Sequence, residues 1–366
     1  MDLSTTQPSA VPEARAADDA LERAVTRVFD EAHAAGVPGT AVSVAVHAPG
    51  GPPVRLLQGR AAEGGAELTA GDRFDLASLT KVVVAVAALS LVEEGVVELD
   101  APVAQTLQVG TGEGADEITL RHLLTHTAGL PPTSTLWQAE RGQRLLDRVL
   151  TTPLEAPPGT RPDYSCLGFV AVGRLLELVT GARLDEILRD RALVPLGAGS
   201  MAFGPVDLPA AVATETQPHR GSIRGEVHDE LAHALGRPVG NAGLFGTADD
   251  VLAVGQMVLR SGEGRAGRVL DAASVELLVH PAVASPAGYG QAAGFRVADA
   301  TFMGSVCGIG HTGFTGTSLV VDPVGGTVTV LLTNRVHPTR VGTDVGPLRR
   351  ALAEAVAAVA TPHASS

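Results

Sequence analysis

Of the 27 basic side chains in this sequence, all but one are arginine; the exception is Lys81. A guanidinium stays protonated at any working pH, whereas a lysine amine loses its proton when it is desolvated or set near other cations, so Lys81 is a candidate base. Ser78 stands three residues earlier, and on a helix that spacing places hydroxyl and amine on one face, as a nucleophile and its activator. The apolar run from Leu79 to Glu94, closed by Gly95, predicts a buried helix with Ser78 at its N-terminus. Free N–H groups and the positive end of the helix dipole there favour the negative charge of an acyl-transfer intermediate. The plainer alternative makes Ser78 a helix cap and Lys81 a surface cation, for which Val82 to Val86 leave little solvated face.

Two further segments carry suitable chemistry. Tyr164, one of two tyrosines, lies in the loop Asp163-Tyr164-Ser165-Cys166 ahead of a helix expected from Leu167. A phenol beside an ammonium has its pKa lowered, and as phenolate it takes the proton from Ser78 and returns it to a leaving group; otherwise its hydroxyl anchors the loop. Gly310-His311-Thr312-Gly313 precedes a strand, where the glycines allow a backbone edge to approach a ligand with His311 directed at it, unless the segment is a simple turn. Metal chemistry has weaker candidates in His122 with His126 and in His228: no Glu follows the first histidine, and neither cysteine stands at ligand spacing from a histidine. Gly110 to Gly114 has no lysine after it to cradle phosphate. No metal and no cofactor are expected. Cys166 and Cys307 are too few for a disulfide framework, and their spacing leaves pairing open.

The elements that must hold these residues follow from composition and periodicity. With 366 residues, 45% hydrophobic, the chain can bury the core of one large or two intimately joined domains. A net charge of -13 argues against nucleic acid and anionic membranes as partners. The apolar stretch Val82 to Val92 is far short of the ~20 residues that span a bilayer, and the first eighteen residues read as a polar tail without a secretory signal, so a cytoplasmic location is expected. A helix is expected over 19–35, then a strand ending at His47 with Val42, Val44 and Val46 on one face, and a return strand Val54 to Leu57. Helical spacing dominates 99–288. Strands resume after Gly294, clearest at Ser318 to Asp322 and Thr327 to Thr333, and a helix closes the chain over Pro347 to Ala360. The expected architecture is α+β: an antiparallel sheet flanked by helices, built from 19–98 and 289–366, with an inserted all-helical domain at 99–288 and a cleft at the junction.

In order along the chain, Ser78-Leu79-Thr80-Lys81, Tyr164-Ser165-Cys166 and His311-Thr312-Gly313 resemble the three motifs of the serine β-lactamase and penicillin-binding-protein superfamily, closest to its class C and esterase branch. Leu123 through Pro131, Gly225 through Glu230, and Ala242-Gly243-Leu244-Phe245 resemble supporting stretches of that branch. The resemblance implies Ser78 as nucleophile, Lys81 and Tyr164 sharing base and acid roles, and an oxyanion hole from the N–H groups of Ser78 and Phe314 on the edge strand. It places Cys166, Thr312 and Gly313 against the substrate. Trp137 and Asn241 are separate candidates for the cleft, with a packing or capping role as the alternative. Two departures bear on substrate. Cys166 stands where the second motif usually has an amide-bearing Asn, and His311 where the third usually has a Lys. The expected activity is transfer of an acyl group from a small-molecule ester or activated amide to water or an amine. A β-lactamase or D-alanyl-D-alanine carboxypeptidase is the alternative, and a non-catalytic binding homologue a third.

Overall fold

The computed structural model describes residues 11–34, 36, 41–49 and 51–360. The alternation of valine with small residues becomes strand β1 (Ala41–His47), whose Val44 and Val46 face one helical layer while Ala41 and Ala45 face another. It pairs with β2 (Val54–Gly59), Val46 opposite Val54. The remaining strands of this sheet come from the far end of the chain: β3 (Val283–Ala284), β4 (Gly290–Gln291), β5 (Arg296–Val297), β6 (Ile309–Thr312), β7 (Ser318–Asp322) and β8 (Thr327–Thr333). Their spatial order is β2-β1-β8-β7-β6-β5-β4-β3, antiparallel throughout, so the first strand of the chain lies beside the last, with Val44 opposite Leu331.

Five helices matter for the site and its support: α1 (Val11–Ala34), α2 (Thr80–Glu93), α3 (Cys166–Thr180), α4 (Ala248–Leu259) and α5 (Gly346–Ala360). α1 and α5 cover one face of the sheet, where Val25, Val28, Leu348 and Leu352 pack on Val44, Val46 and Leu331. α4 covers the other face at very close range, because Gly255 removes a Cβ that would stand 2.4 Å from Val328 Cγ1. Next to it α2 is buried on every side from Thr80 to Leu91, packed against α3 and the helical segment Leu184–Leu193. Its apolar surface is therefore a core element's, and it ends as expected, with Gly95 at φ +70° beyond Glu94.

Several boundaries differ from those expected. α1 begins at Val11, not at 19, since the polar run from Glu13 is rich in good helix formers; residues 1–10 of the expected tail lie outside the described residues. The inserted segment is mainly helical but not wholly so. Ala202–Phe203 and Leu244–Gly246 join Phe74–Asp75 in a three-stranded antiparallel sheet, and Ala213–Gln217 pairs with Gly221–Arg224. Strands of two or three residues are too short to show a period of two. Residue 289 falls inside the β3–β4 turn, where Ser285 N–H donates to Tyr289 O at 2.7 Å, so the large sheet already starts at Val283. Among the described residues no helix is long and apolar enough to cross a membrane.

Candidate active site

Ser78 sits in a 3₁₀ turn, Ala77–Leu79, that runs directly into α2. Ala77 adopts φ +47°, a left-handed conformation costing roughly 1 kcal/mol for a residue with a Cβ. Several contacts hold the chain there. Asp75 Oδ1 accepts the Ala77 N–H at 2.8 Å, and Leu76 N–H donates to Leu244 O at 2.9 Å. Thr80 Oγ1 accepts the Leu244 N–H at 3.1 Å. The stretch Ala242 to Phe245 therefore acts as the strand on which the nucleophile turn hangs.

Lys81 is completely buried, which removes the surface-cation alternative. Its Nζ donates to Ser78 Oγ at 3.1 Å, to the Asn241 carbonyl at 2.8 Å and to Cys166 Sγ at 3.5 Å, three acceptors for the three N–H bonds of an ammonium. Burial opposes that charge, but Asp229, together with Cys166 and Tyr164 once they ionise, outweighs it and holds the lysine above its ordinary value. The Tyr164 ring lies with its centroid 5.1 Å from Lys81 Nζ, and Tyr164 and Ser78 line one cavity. Removal from bulk water raises this phenol more than Lys81 lowers it, the reverse of the expected direction, and burial likewise raises the Cys166 thiol. The resting cluster is thus an ammonium, a phenol and a thiol around a serine hydroxyl.

The loop bearing Tyr164 is fixed by the stretch Leu123 to Pro131. His126, at φ +57°, accepts the Asp163 N–H through its carbonyl at 2.8 Å and the Ser165 N–H through Nδ1 at 3.1 Å. Ser165 Oγ donates to Pro131 O at 2.6 Å and accepts the Gly168 N–H, capping α3. His122 completes a capping box with Thr119, so both members of the His122–His126 candidate metal pair are engaged in local structure. In Gly225 to Glu230, His228 N–H donates to Asp75 Oδ2 at 2.7 Å, and Asp229 caps the following helix and accepts the Asn241 amide at 3.1 Å. Asp75 therefore ties the nucleophile turn to this segment, a role that no local pattern announced.

The third motif closes the site from the sheet. β5 pairs with β6 only as far as Gly310, so β6 is an inner strand of the sheet whose end, from His311 on, runs free of β5. Phe314 lies beyond it in a turn, not on an edge strand, because Gly313 N–H already bonds back to Thr317 O. That turn is clamped to the nucleophile segment: Thr315 Oγ1 donates to Asp75 O at 2.7 Å and Thr317 Oγ1 to Leu76 O at 3.0 Å. A Cβ on Gly313 would stand 2.6 Å from Leu76 O, so only glycine fits. The N–H groups of Ser78 and Phe314 have no protein acceptor among the described residues.

A cavity of about 330 Å³ opens on these groups, lined by Ser78, Tyr164, Thr312, Gly313 and Phe314. Arg296, Arg335 and Arg349 line it too. Arg335 donates to Phe314 O at 2.7 Å and Arg349 to Gly313 O at 2.9 Å, while burial pushes the Arg349 guanidinium down to about 10. Neither forms an ion pair among the described residues, whereas Arg296 pairs with Asp299 at 2.9 Å. Three arginines and one carboxylate, Asp344, thus line the cavity, while His311 itself is kept neutral, chiefly by burial.

Four expected cleft residues are placed otherwise. His311 does not line the cavity; strand alternation sends it inward beside the Tyr164 ring and leaves Thr312 facing the opening. Asn241 is fully buried and serves Lys81 through its backbone. Cys166 touches Lys81 and is not a cavity wall. Trp137 stacks on His219 at 6.4 Å, away from the Ser78 cavity, because its short turn packs on the helices Gly142–Leu150 and Glu230–Leu235. Cys166 and Cys307 are both free.

A serine hydroxyl, lysine and tyrosine meeting at a cavity between an antiparallel sheet and an inserted helical segment define a serine hydrolase or acyltransferase of the β-lactamase and penicillin-binding-protein type. The chain belongs to the beta-lactamase family: the family model described as Beta-lactamase matches residues 25–354. It is 30% identical over 309 residues to a putative D-alanyl-D-alanine carboxypeptidase of Escherichia coli K12, covering 74% of this chain and 70% of that protein. Among solved structures it is similar to EstCE1, a hydrolase with promiscuous acyltransferase activity, at TM-score 0.73 and 24% identity over 93% of this chain and 99% of the other. It is also similar to a simvastatin synthase from Aspergillus terreus, at TM-score 0.70 and 21% identity over 97% and 98% of the two chains.

Proposed function

We infer that this enzyme transfers an acyl group from a small ester or activated amide bearing an anionic group to water or an amine. The observation that carries the reading is Ser78 Oγ at 3.1 Å from Lys81 Nζ, with the Tyr164 ring centroid 5.1 Å from the same Nζ and an open cavity lined by both Ser78 and Tyr164. Once the Lys81–Tyr164 pair has lost one proton, it takes the proton of Ser78 as Oγ bonds to the carbonyl carbon. The oxygen that becomes negative is met by the N–H groups of Ser78 and Phe314. The carbonyl reforms as the bond to the leaving group breaks and that group takes the proton from the same pair, leaving an acyl-enzyme. Water or an amine then repeats the sequence in reverse.

Two observations support an ester or activated amide over a peptide. Position 166 offers a thiol already engaged by Lys81, with no side-chain amide to hold a peptide-like acyl group. Arg335 and Arg349, which form no ion pair among the described residues although Asp344 lines the same cavity, supply the positive charge that the neutral His311 does not. The carboxypeptidase reading is favoured by the relative from Escherichia coli. The test is hydrolysis of p-nitrophenyl acetate and butyrate by wild type and Ser78→Ala, with intact mass to detect an acyl adduct on Ser78 and product analysis with and without added amines. Rates equal to the buffer blank for both folded proteins would refute the reading for simple esters; turnover of penicillins or a D-alanyl-D-alanine peptide in their place would favour the alternative.

A further inference from the structure

Phe314 is held by its ring and by both flanking carbonyls, while its N–H has no protein acceptor among the described residues. Its own carbonyl accepts from Arg335 Nε at 2.7 Å, and that guanidinium is anchored through Nη1 on Thr343 O at 2.8 Å. Its ring meets two cations, with the centroid 4.7 Å from Arg335 Cζ and 5.2 Å from Arg340 Cζ, and the His228 ring is stacked on it at 5.7 Å. Arg340 is tied in turn to Glu215 at 2.8 Å and to Glu230 at 2.7 Å. The preceding carbonyl, Gly313 O, accepts from Gly316 N–H at 3.1 Å and from Arg349 Nη2 at 2.9 Å, and the same Nη2 donates to Thr317 O at 2.9 Å. The Arg349 contact bears directly on the free N–H. The bond from Gly313 to Phe314 is trans, so Gly313 O and Phe314 N–H are opposite ends of one rigid plane, and a group that holds the oxygen aims the hydrogen the other way. A cation on that oxygen also polarises the amide and makes its N–H a stronger donor.

We propose that Arg349 is a positioning residue for the oxyanion hole: through the Gly313 carbonyl it aims and polarises the Phe314 N–H, while the Arg335 and Arg340 contacts steady the same residue through its ring. The proposal rests on acyl transfer from Ser78 with the Phe314 N–H as an oxyanion donor, and it gives Arg349 a role that needs no charge on the substrate. The turn has bonds of its own, since Gly313 N–H donates to Thr317 O at 2.8 Å and Gly316 N–H to Gly313 O. Loss of the guanidinium therefore removes the direction and strength of one donor rather than the turn.

The test uses the full chain and p-nitrophenyl butyrate, which is uncharged, so that loss of anion recognition does not register. Arg349→Met is expected to lower kcat about 30-fold with KM within about threefold, a part of the cost of deleting one oxyanion donor. Butylboronic acid, which forms a tetrahedral adduct on a nucleophilic serine, reads the same hydrogen bond without turnover, and its Ki should rise by about the factor by which kcat/KM falls. A residue that only supported the fold would lower the folded fraction and leave that proportionality absent. Arg349→Lys, which returns a cationic donor to the two carbonyls, should retain about tenfold more kcat than Arg349→Met. If Arg349→Met does not fold, Arg349→Gln decides, with kcat and boronate affinity expected to fall together by about tenfold. Wild-type kcat and boronate affinity in the folded variant overturn the proposal, and so does a rise in KM alone, which would make Arg349 a binder of the substrate itself. Failure of p-nitrophenyl butyrate to acylate Ser78 in the wild type would instead refute acyl transfer from this ester, while boronate affinity, measured without turnover, still decides the part played by Arg349.

Discussion

Asn241 holds Lys81 with its main chain: the carbonyl oxygen lies 2.8 Å from Nζ, while the side-chain amide turns away to Asp229 at 3.1 Å. The backbone just before it packs directly on α3, since a Cβ on the preceding Gly240 would stand 2.0 Å from Phe169 O. The lysine head therefore sits in a rigid seat shaped for a pyramidal ammonium.

Lys81→Arg is expected to abolish turnover although it keeps the charge. A planar guanidinium does not match acceptors on Ser78, Asn241 and Cys166 and does not give up a proton. Hydrolysis of p-nitrophenyl butyrate should fall at least about 10³-fold, toward the Ser78→Ala level. Activity near wild type would remove Lys81 from the proton-transfer role.

The pH dependence follows from the directions of two shifts. Lys81 and Tyr164 both bind their protons more tightly than the free side chains do, and attack by Ser78 requires the pair to lose one. Acylation should therefore rise with pH, by about tenfold per unit from pH 7 to 9, without a plateau in that range. Stopped-flow measurement of kcat/KM with p-nitrophenyl butyrate decides this; a profile flat above pH 7 contradicts it.

Gly313→Ala places a methyl 2.0 Å from Thr317 Oγ1 and 2.6 Å from the Leu76 carbonyl. The clamp between the third-motif turn and the nucleophile segment must open. We expect kcat/KM to drop about 10²-fold, as for loss of one oxyanion donor, with circular dichroism showing the fold retained.

Arg335→Ala should separate anionic from neutral donors. Its guanidinium lines the cavity without an ion-pair partner, so its loss is expected to raise KM about tenfold for a carboxylated ester and to leave the neutral ester within about threefold. Equal effects on both esters would argue that Arg335 serves only to hold the Phe314 carbonyl.

Much of the site was legible where residue type and spacing were themselves unusual. One lysine among arginines, three residues after a serine on an apolar helix, identifies a pair that the structure brings to 3.1 Å. The strands Ser318–Asp322 and Thr327–Thr333 were likewise plain, as short runs rich in Val, Leu and Thr on either side of a Pro-Gly turn. The supports were not legible. Asp75 meets His228 across 153 residues, and Lys81 meets Asn241 across 160, in the second case through a carbonyl that every residue possesses. His311 was misdirected for a different reason: its place beside Gly313 suggested the ligand, but alternation along the strand gives the cavity to Thr312. The raised phenol of Tyr164 reflects burial, which a sequence window around residue 164 does not report.

The pairing of β1 with β8 and the grip of Arg349, on α5, upon the Gly313 carbonyl have a consequence for biosynthesis. The serine and lysine are translated early, but the edge around Gly313 that opposes them and the arginine that steadies it come well over two hundred residues later. A chain of which only the first half has been made carries the nucleophile and its lysine without the edge that completes their pocket.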